Sequence, residues 1–179
     1  EFLQKGLMAT GALIVGNAIS ADASAPESPQ SIAEGKTFNL NYGPHDGMFK
    51  NIAGDNFLDQ IQYMYDQGFR GIEDNGMSGR SPQEQEKIGN LLAKLGMSMG
   101  VFVLNKGGNG ANTLAAGKQE NIDIFLKGCK DAVEISKRCG GKFTTVVPGD
   151  FHRNLSLDLQ TANVIDALRR GAEILEPHN

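Results

Sequence analysis

Apolar and polar positions along the chain repeat one plan: a short strand, a polar turn, an amphipathic helix and a glycine stop. Residues 38–42 alternate Phe38, Leu40 and Tyr42 with Asn39 and Asn41, the period of a half-buried strand, and run into a turn of Gly43, Pro44, His45, Asp46 and Gly47. Gly54, Asp55 and Asn56 supply capping chemistry for a helix with Phe57, Leu58, Ile61, Met64 and Tyr65 on one side, and Gly68 stops it. Residues 69–72 predict a second strand that ends in Glu73, Asp74, Asn75 and Gly76. Ser81, Pro82 and Glu84 announce the next helix, because a serine cap, a proline at the first position and a glutamate at the third satisfy its free backbone donors. That helix carries Ile88, Leu91, Leu92 and Leu95 and ends at Gly96.

The second half keeps the plan. Residues 97–104 are almost wholly apolar, as a parallel strand covered on both faces requires, and leave through Asn105, Lys106, Gly107, Gly108, Asn109 and Gly110. The longest helix is predicted from about Gln119 to Cys139, with Ile122, Phe125, Leu126, Cys129, Val133 and Ser136 on its buried stripe and Gly140 and Gly141 closing it. Residues 142–147 predict a fourth strand, and a helix over about 159–175 presents Val164, Ile165, Leu168, Ala172 and Leu175.

Strands beginning near 38, 69, 98 and 142 have the spacing of successive β/α units with right-handed crossovers. The fold class is therefore α/β with a parallel sheet. Two architectures satisfy the pattern, a small doubly wound sheet and the first half of an eight-stranded barrel.

Charge narrows the function. A net charge of −4, with no cluster of Lys and Arg, argues against a nucleic-acid surface, which must displace phosphate counterions. Residues 7–19 are apolar, small and uncharged, and Ala23, Ser24 and Ala25 give the small-x-small pattern of a signal-peptidase site. Residues 1–25 thus read as an export signal that delivers the protein to the periplasm, with a packed N-terminal helix as the alternative, 26–35 as a linker and 36–179 as the folded domain. The apolar run is shorter than the ~20 residues a membrane span needs, so no membrane association beyond the signal is expected. The opening residues 1–6 resemble the segment just after the arginine pair of a twin-arginine signal, so the signal is expected to begin before Glu1. Cys129 and Cys139 fall ten residues apart on one predicted helix, about 15 Å, too far to bridge. Both are expected as free thiols.

Separated blocks then carry a family resemblance. YGPHDGMF (42–49), FRGIEDNG (69–76), LGMSMGVFVLN (95–105), KGGNGA (106–111) and NVIDALRRGAEILEP (163–177) resemble exported members of the hydroxypyruvate isomerase group. That group belongs to the xylose isomerase-like barrels, the sugar phosphate isomerase and epimerase superfamily. The resemblance implies that residues 36–179 are the first four β/α units of an incomplete (β/α)8 TIM barrel. It also implies aldose-ketose isomerisation or epimerisation of a small hydroxy-carbonyl compound or sugar, through an enediolate, with a divalent metal ion of the Mg, Mn or Zn class. In such barrels the metal is held by two Glu, an Asp and a His or Gln after strands five to eight. The catalytic residues and metal ligands are therefore expected beyond Asn179, and this fragment alone is expected to be inactive and poorly stable. Oligomer formation stays open.

His45, Glu73, Asp74, Asn75 and Asn105 stand where strands empty onto the functional face and are the candidate substrate-binding residues. Polar residues in such places also cap helices and tie turns, and that second role is open for each. Lys106 and the glycine-rich loop after it lack phosphate-loop spacing. Asp150 and His152, two apart, match no metal signature and read as loop polarity. Leu175, Glu176 and Pro177 imitate the group's first metal-glutamate block, but helical spacing before them makes Glu176 a helix end. Two other functions fit the same barrel: an exported carbohydrate-binding protein without turnover, and a metal-dependent endonuclease, which the acidic charge disfavours.

Overall fold

The computed structural model describes residues 37–108, 110 and 114–178. The expected export signal and linker lie outside these residues. No described helix is long and apolar enough to cross a membrane.

In chain order the elements are α1 (Lys50–Ala53), α2 (Phe57–Asp66), β1 (Gly71–Ile72), α3 (Pro82–Leu95), β2 (Ser98–Met99), β3 (Val101–Val103), α4 (Gln119–Cys139), β4 (Phe143–Thr145) and α5 (Leu157–Leu175). Caps explain the starts. The Asn56 side chain accepts the Leu58 N–H, and Ser81 and Glu84 close a reciprocal capping box at α3. Gly96 and Gly140 end α3 and α4 in the left-handed region, at φ 64° and 71°, where a β-carbon is disfavoured.

The strands are short and parallel. Gly71 and Ile72 of β1 pair with Ser98 and Met99 of β2, and β3 pairs with β4 through Val101↔Phe143, Phe102↔Thr144 and Val103↔Thr145. Gly100 joins the two ladders: its N–H donates to the Ile72 carbonyl at 2.8 Å, and the Asp74 N–H donates to Val101 at 3.3 Å. The predicted strand over 97–104 is thus one line that hands its pairing from β1 to β4. The molecule is mixed α/β with parallel pairing in chain order.

The predicted first strand is corrected. Residues 38–42 form no ladder; Phe38, Leu40 and Tyr42 are 46%, 65% and 52% exposed. The aromatic positions there make ring contacts instead, Phe38 tilted against Phe69 at 4.8 Å and edge-on to Tyr42 at 5.5 Å. Pairing begins later, at a single parallel bridge between His45 and Glu73.

Ile61 and Met64 of α2, Ile72 of β1 and Phe102 of β3 are fully buried, each worth on the order of 2 kcal/mol of apolar transfer. The helices approach closely where glycine allows it. A β-carbon at Gly89 would collide with the Arg138 carbonyl oxygen, and one at Gly128 with that of Asn105. Cys129 and Cys139 are both free and buried.

The expected face of α5 holds in part. Val164 and Leu175 pack half-buried against the core, and Gln160, Ala167 and Gly171 are buried, but Ile165 and Leu168 are exposed. A β-carbon at Gly171 would meet the Phe125 ring at 2.6 Å, so the closest approach of α5 to α4 is made by its small residues. Ser136, expected on the buried stripe of α4, is only half-buried. Glu176 continues α5 into a short 3-10 turn, Glu176–His178, and is exposed.

Candidate functional site

The site is built where the His45 segment and β1 end side by side. The Glu73 N–H donates to the Pro44 carbonyl at 3.1 Å, which sets the two chain exits in parallel. Residues 45 and 73 then project side chains that meet: His45 Nε2 lies 3.0 Å from Glu73 Oε2, at side-chain exposures of 40% and 36%. The Glu73 stem sits between two glycines, because a β-carbon at Gly43 or at Gly100 would approach its Cγ to 3.2 or 3.3 Å.

The neighbours of this pair have a different job. Asp74 is buried; its Oδ1 accepts the Gly76 N–H at 2.9 Å and its Oδ2 accepts Arg80 Nε at 2.5 Å. Arg80 Nη2 donates in turn to Asp46 Oδ2 at 2.5 Å. Burial opposes the charge on the guanidinium, but its hydrogen bonds to Asp74 and Asp46 outweigh burial and hold its pKa above the ordinary arginine value. The Arg80 guanidinium also lies over the Phe57 ring, 4.8 Å from its centroid.

The predicted site residues therefore separate. His45 and Glu73 come together and face solvent, and Asn75 is exposed beside them in the turn. Asp74 ties the turn. Asn105 is exposed, but its Oδ1 accepts the Gly107 N–H at 3.0 Å and so closes its own loop. Lys106 is buried; its Nζ donates to the Gly108 carbonyl, and burial lowers its pKa against the opposing pull of Asp150. Asp150 and His152 are not gathered with His45 and Glu73: among the described residues no group of three or more His, Cys, Asp or Glu is placed to hold a metal ion. These residues by themselves do not fit the divalent ion that the resemblance implies.

Sequence reading missed a set of buried glutamines that hold the loops before three helices, two of them beside the site. Gln60, Gln85 and Gln160 are buried, each at the fourth residue of its helix, and each binds the loop that precedes that helix. Gln60 accepts from Gly47 N–H and donates to the Gly54 carbonyl; Gln85 donates to the Met77 and Arg80 carbonyls; Gln160 accepts from His152 N–H and donates to the His152 and Leu155 carbonyls. The available signal was positional, a glutamine four residues after each of the caps Asn56, Ser81 and Ser156.

A cavity of about 350 Å³ is lined in part by Asp46, Phe57 and Arg80. A larger cleft of about 620 Å³, lined by Phe143, Leu175 and His178 among others, sits at the opposite end of the sheet, where β4 begins. Its lining holds Lys137, Lys142 and His178 and no carboxylate, whereas the His45–Glu73 end sets a carboxylate against an imidazole.

No protein-family model and no curated protein matches this chain.

Proposed function

We propose that the chain belongs to an exported, metal-dependent isomerase or epimerase of small hydroxy-carbonyl compounds or sugars, hydroxypyruvate isomerase-like, acting through an enediolate. The observation that carries the reading is the His45–Glu73 pair, an imidazole and a carboxylate in hydrogen-bond contact, half-exposed at the exits of adjacent parallel chain segments. Loops at strand exits are where β/α folds collect substrate-binding groups. In this reading His45 and Glu73 hold hydroxyl and carbonyl oxygens of the substrate, with Asn75 at the rim, while Asp74 keeps the turn in place.

We also read the β/α units as the first four of a (β/α)8 barrel. Pairing in chain order, with no reversal of strand order among the described strands, supports the barrel over the doubly wound sheet. Exposed apolar residues at both lateral ends, Phe38, Leu40 and Tyr42 at one and Phe143 and Val147 at the other, favour a sheet that continues. A divalent ion, when bound, stabilises the charge of an enediolate. Its ligands are proposed outside the described residues, and residues 1–25 are proposed to direct export to the periplasm.

The test uses the protein translated from the whole reading frame, including any residues after Asn179. Small hydroxyaldehydes and hydroxyketones are incubated with it in D2O and Mg, Mn or Zn, and deuterium incorporation is read by mass spectrometry. Metal-dependent incorporation that falls about 10- to 100-fold in His45→Asn or Glu73→Gln supports the reading. Binding without incorporation favours a carbohydrate-binding barrel, and the absence of both binding and incorporation overturns the proposal.

A further inference from the structure

Two dipeptides end adjacent segments of the sheet, His45–Asp46 and Glu73–Asp74, and they are used in the same way. Their first residues meet each other, His45 to Glu73 at 3.0 Å. Their second residues meet one guanidinium, Asp46 on Arg80 Nη2 and Asp74 on Arg80 Nε, each at 2.5 Å. One arginine thus spans the backbones that carry the exposed pair.

The backbone alone does not fix that pair. His45 and Glu73 form an isolated bridge, and residues 38–42 add no ladder beside it. One backbone bridge, with the Glu73 N–H on the Pro44 carbonyl, sets the two exits side by side but makes no contact with the two side chains. The guanidinium is planar and presents its donors in a rigid fork, so dividing Nε and Nη2 between two carboxylates fixes their separation. Arg80 is itself held at several points: its ring contact with Phe57, its backbone carbonyl on Gln85 Nε2 at 3.0 Å, and a side chain that is 19% exposed. Gln85 is anchored further by Arg138 Nε, which donates to its Oε1 at 2.9 Å from the far end of α4.

We propose that Arg80 is a positioning residue that sets the separation of His45 and Glu73, through Asp46 on one side and Asp74 on the other. The inference rests on the reading of that pair as the substrate-facing group. A lysine cannot replace the fork, because an ammonium is a single point of charge that reaches one carboxylate well and the other poorly.

The experiment is solution NMR on the protein translated from the whole reading frame, reading the nuclear Overhauser contacts between the His45 ring and the Glu73 side chain, with thermal unfolding followed alongside. Arg80→Gln is expected to abolish those contacts and Arg80→Lys to restore them only weakly. Asp46→Asn cuts the exposed arm of the clamp and leaves Asp74 paired with Arg80; it is expected to weaken the contacts with little change in the unfolding temperature. If Arg80→Gln fails to fold, Asp46→Asn decides alone. Contacts of wild-type strength in folded Arg80→Gln or in Asp46→Asn overturn the proposal and reduce Arg80 to a structural tie. That outcome leaves deuterium incorporation by the wild-type protein untouched, so the two readings fail separately.

Discussion

Gly100 leaves the room that the Glu73 side chain occupies: a β-carbon there would stand 3.3 Å from Glu73 Cγ and 3.0 Å from the Ile72 carbonyl oxygen. The same residue interrupts the strand and passes its pairing from β1 to β4. Gly100→Ala must therefore move either the carboxylate stem or the ladder. The expected cost is about 1–3 kcal/mol, the range for forcing a methyl group into packed surroundings. Urea unfolding gives the cost, and loss of His45–Glu73 contacts by NMR tells whether the stem moved. A stability within about 0.5 kcal/mol of wild type would show that this close approach relaxes freely.

Gln85 shows what a buried amide holds. Replacing it with Leu removes a donor from the Met77 and Arg80 carbonyls and an acceptor from Arg138 Nε. A group left unpaired in a buried site costs about 1–3 kcal/mol; the Met77 bond is buried and the other two are only part-buried, where water replaces some of the loss, so Gln85→Leu is expected to lose roughly 2–5 kcal/mol, more than Ser81→Ala at about 1. Gln85→Glu keeps the acceptor for Arg138 and should recover part of the loss. Denaturant midpoints for the three variants check the order.

Local signals made much of the fold legible. Ser81, Pro82 and Glu84 fixed the start of α3, and the run from Gln119 to Cys139 matched α4 at both ends, because caps and helical periodicity act within a few residues. Residues 38–42 misled because edge-on and tilted ring contacts occupy the alternate positions a strand would use. Part of the α5 face misled, at Ile165 and Leu168, because contact with Phe125 favours Gly171 over a larger residue, a tertiary fact with no local trace. Of the site, His45 and Glu73 were visible as polar residues at strand exits. Their meeting was not, since it depends on Arg80 and on two glycines 57 residues apart in the chain, Gly43 and Gly100.

Burial pushes the Cys129 thiol up to about 11 and raises that of Cys139 in the same direction. In the unfolded chain a cysteine ionises near 8.5. Between these values the folded state keeps a proton that the unfolded state has lost, so stability is fully present below the unfolded value and is lost as pH rises through the folded one. The Cys129 contribution is on the order of 3 kcal/mol across that window, at about 1.4 kcal/mol per pH unit. Cys129→Ala should flatten this part of the slope in urea melts between about pH 8 and 11. An unchanged slope would mean that the thiol ionises as readily in the folded protein as in the unfolded one.

Ile165 and Leu168 stand 45% and 40% exposed on α5, and Phe143 and Phe151 near β4 are 69% and 61% exposed. Exposed apolar side chains, together with a strand that pairs on one side only among the described residues, invite association with other molecules. The isolated chain is accordingly expected to self-associate as its concentration rises. Leu168→Glu with Phe143→Lys should suppress this association and change the unfolding free energy by no more than about 0.5 kcal/mol, as for substitutions at exposed sites. Sedimentation velocity over a concentration series reads the first effect and urea unfolding the second. A loss above about 2 kcal/mol would instead place these side chains in a packed interior in solution, because removing buried apolar contacts is what costs that much. Suppressed association at unchanged stability would assign the surface to contact with another polypeptide segment rather than to the fold of these residues.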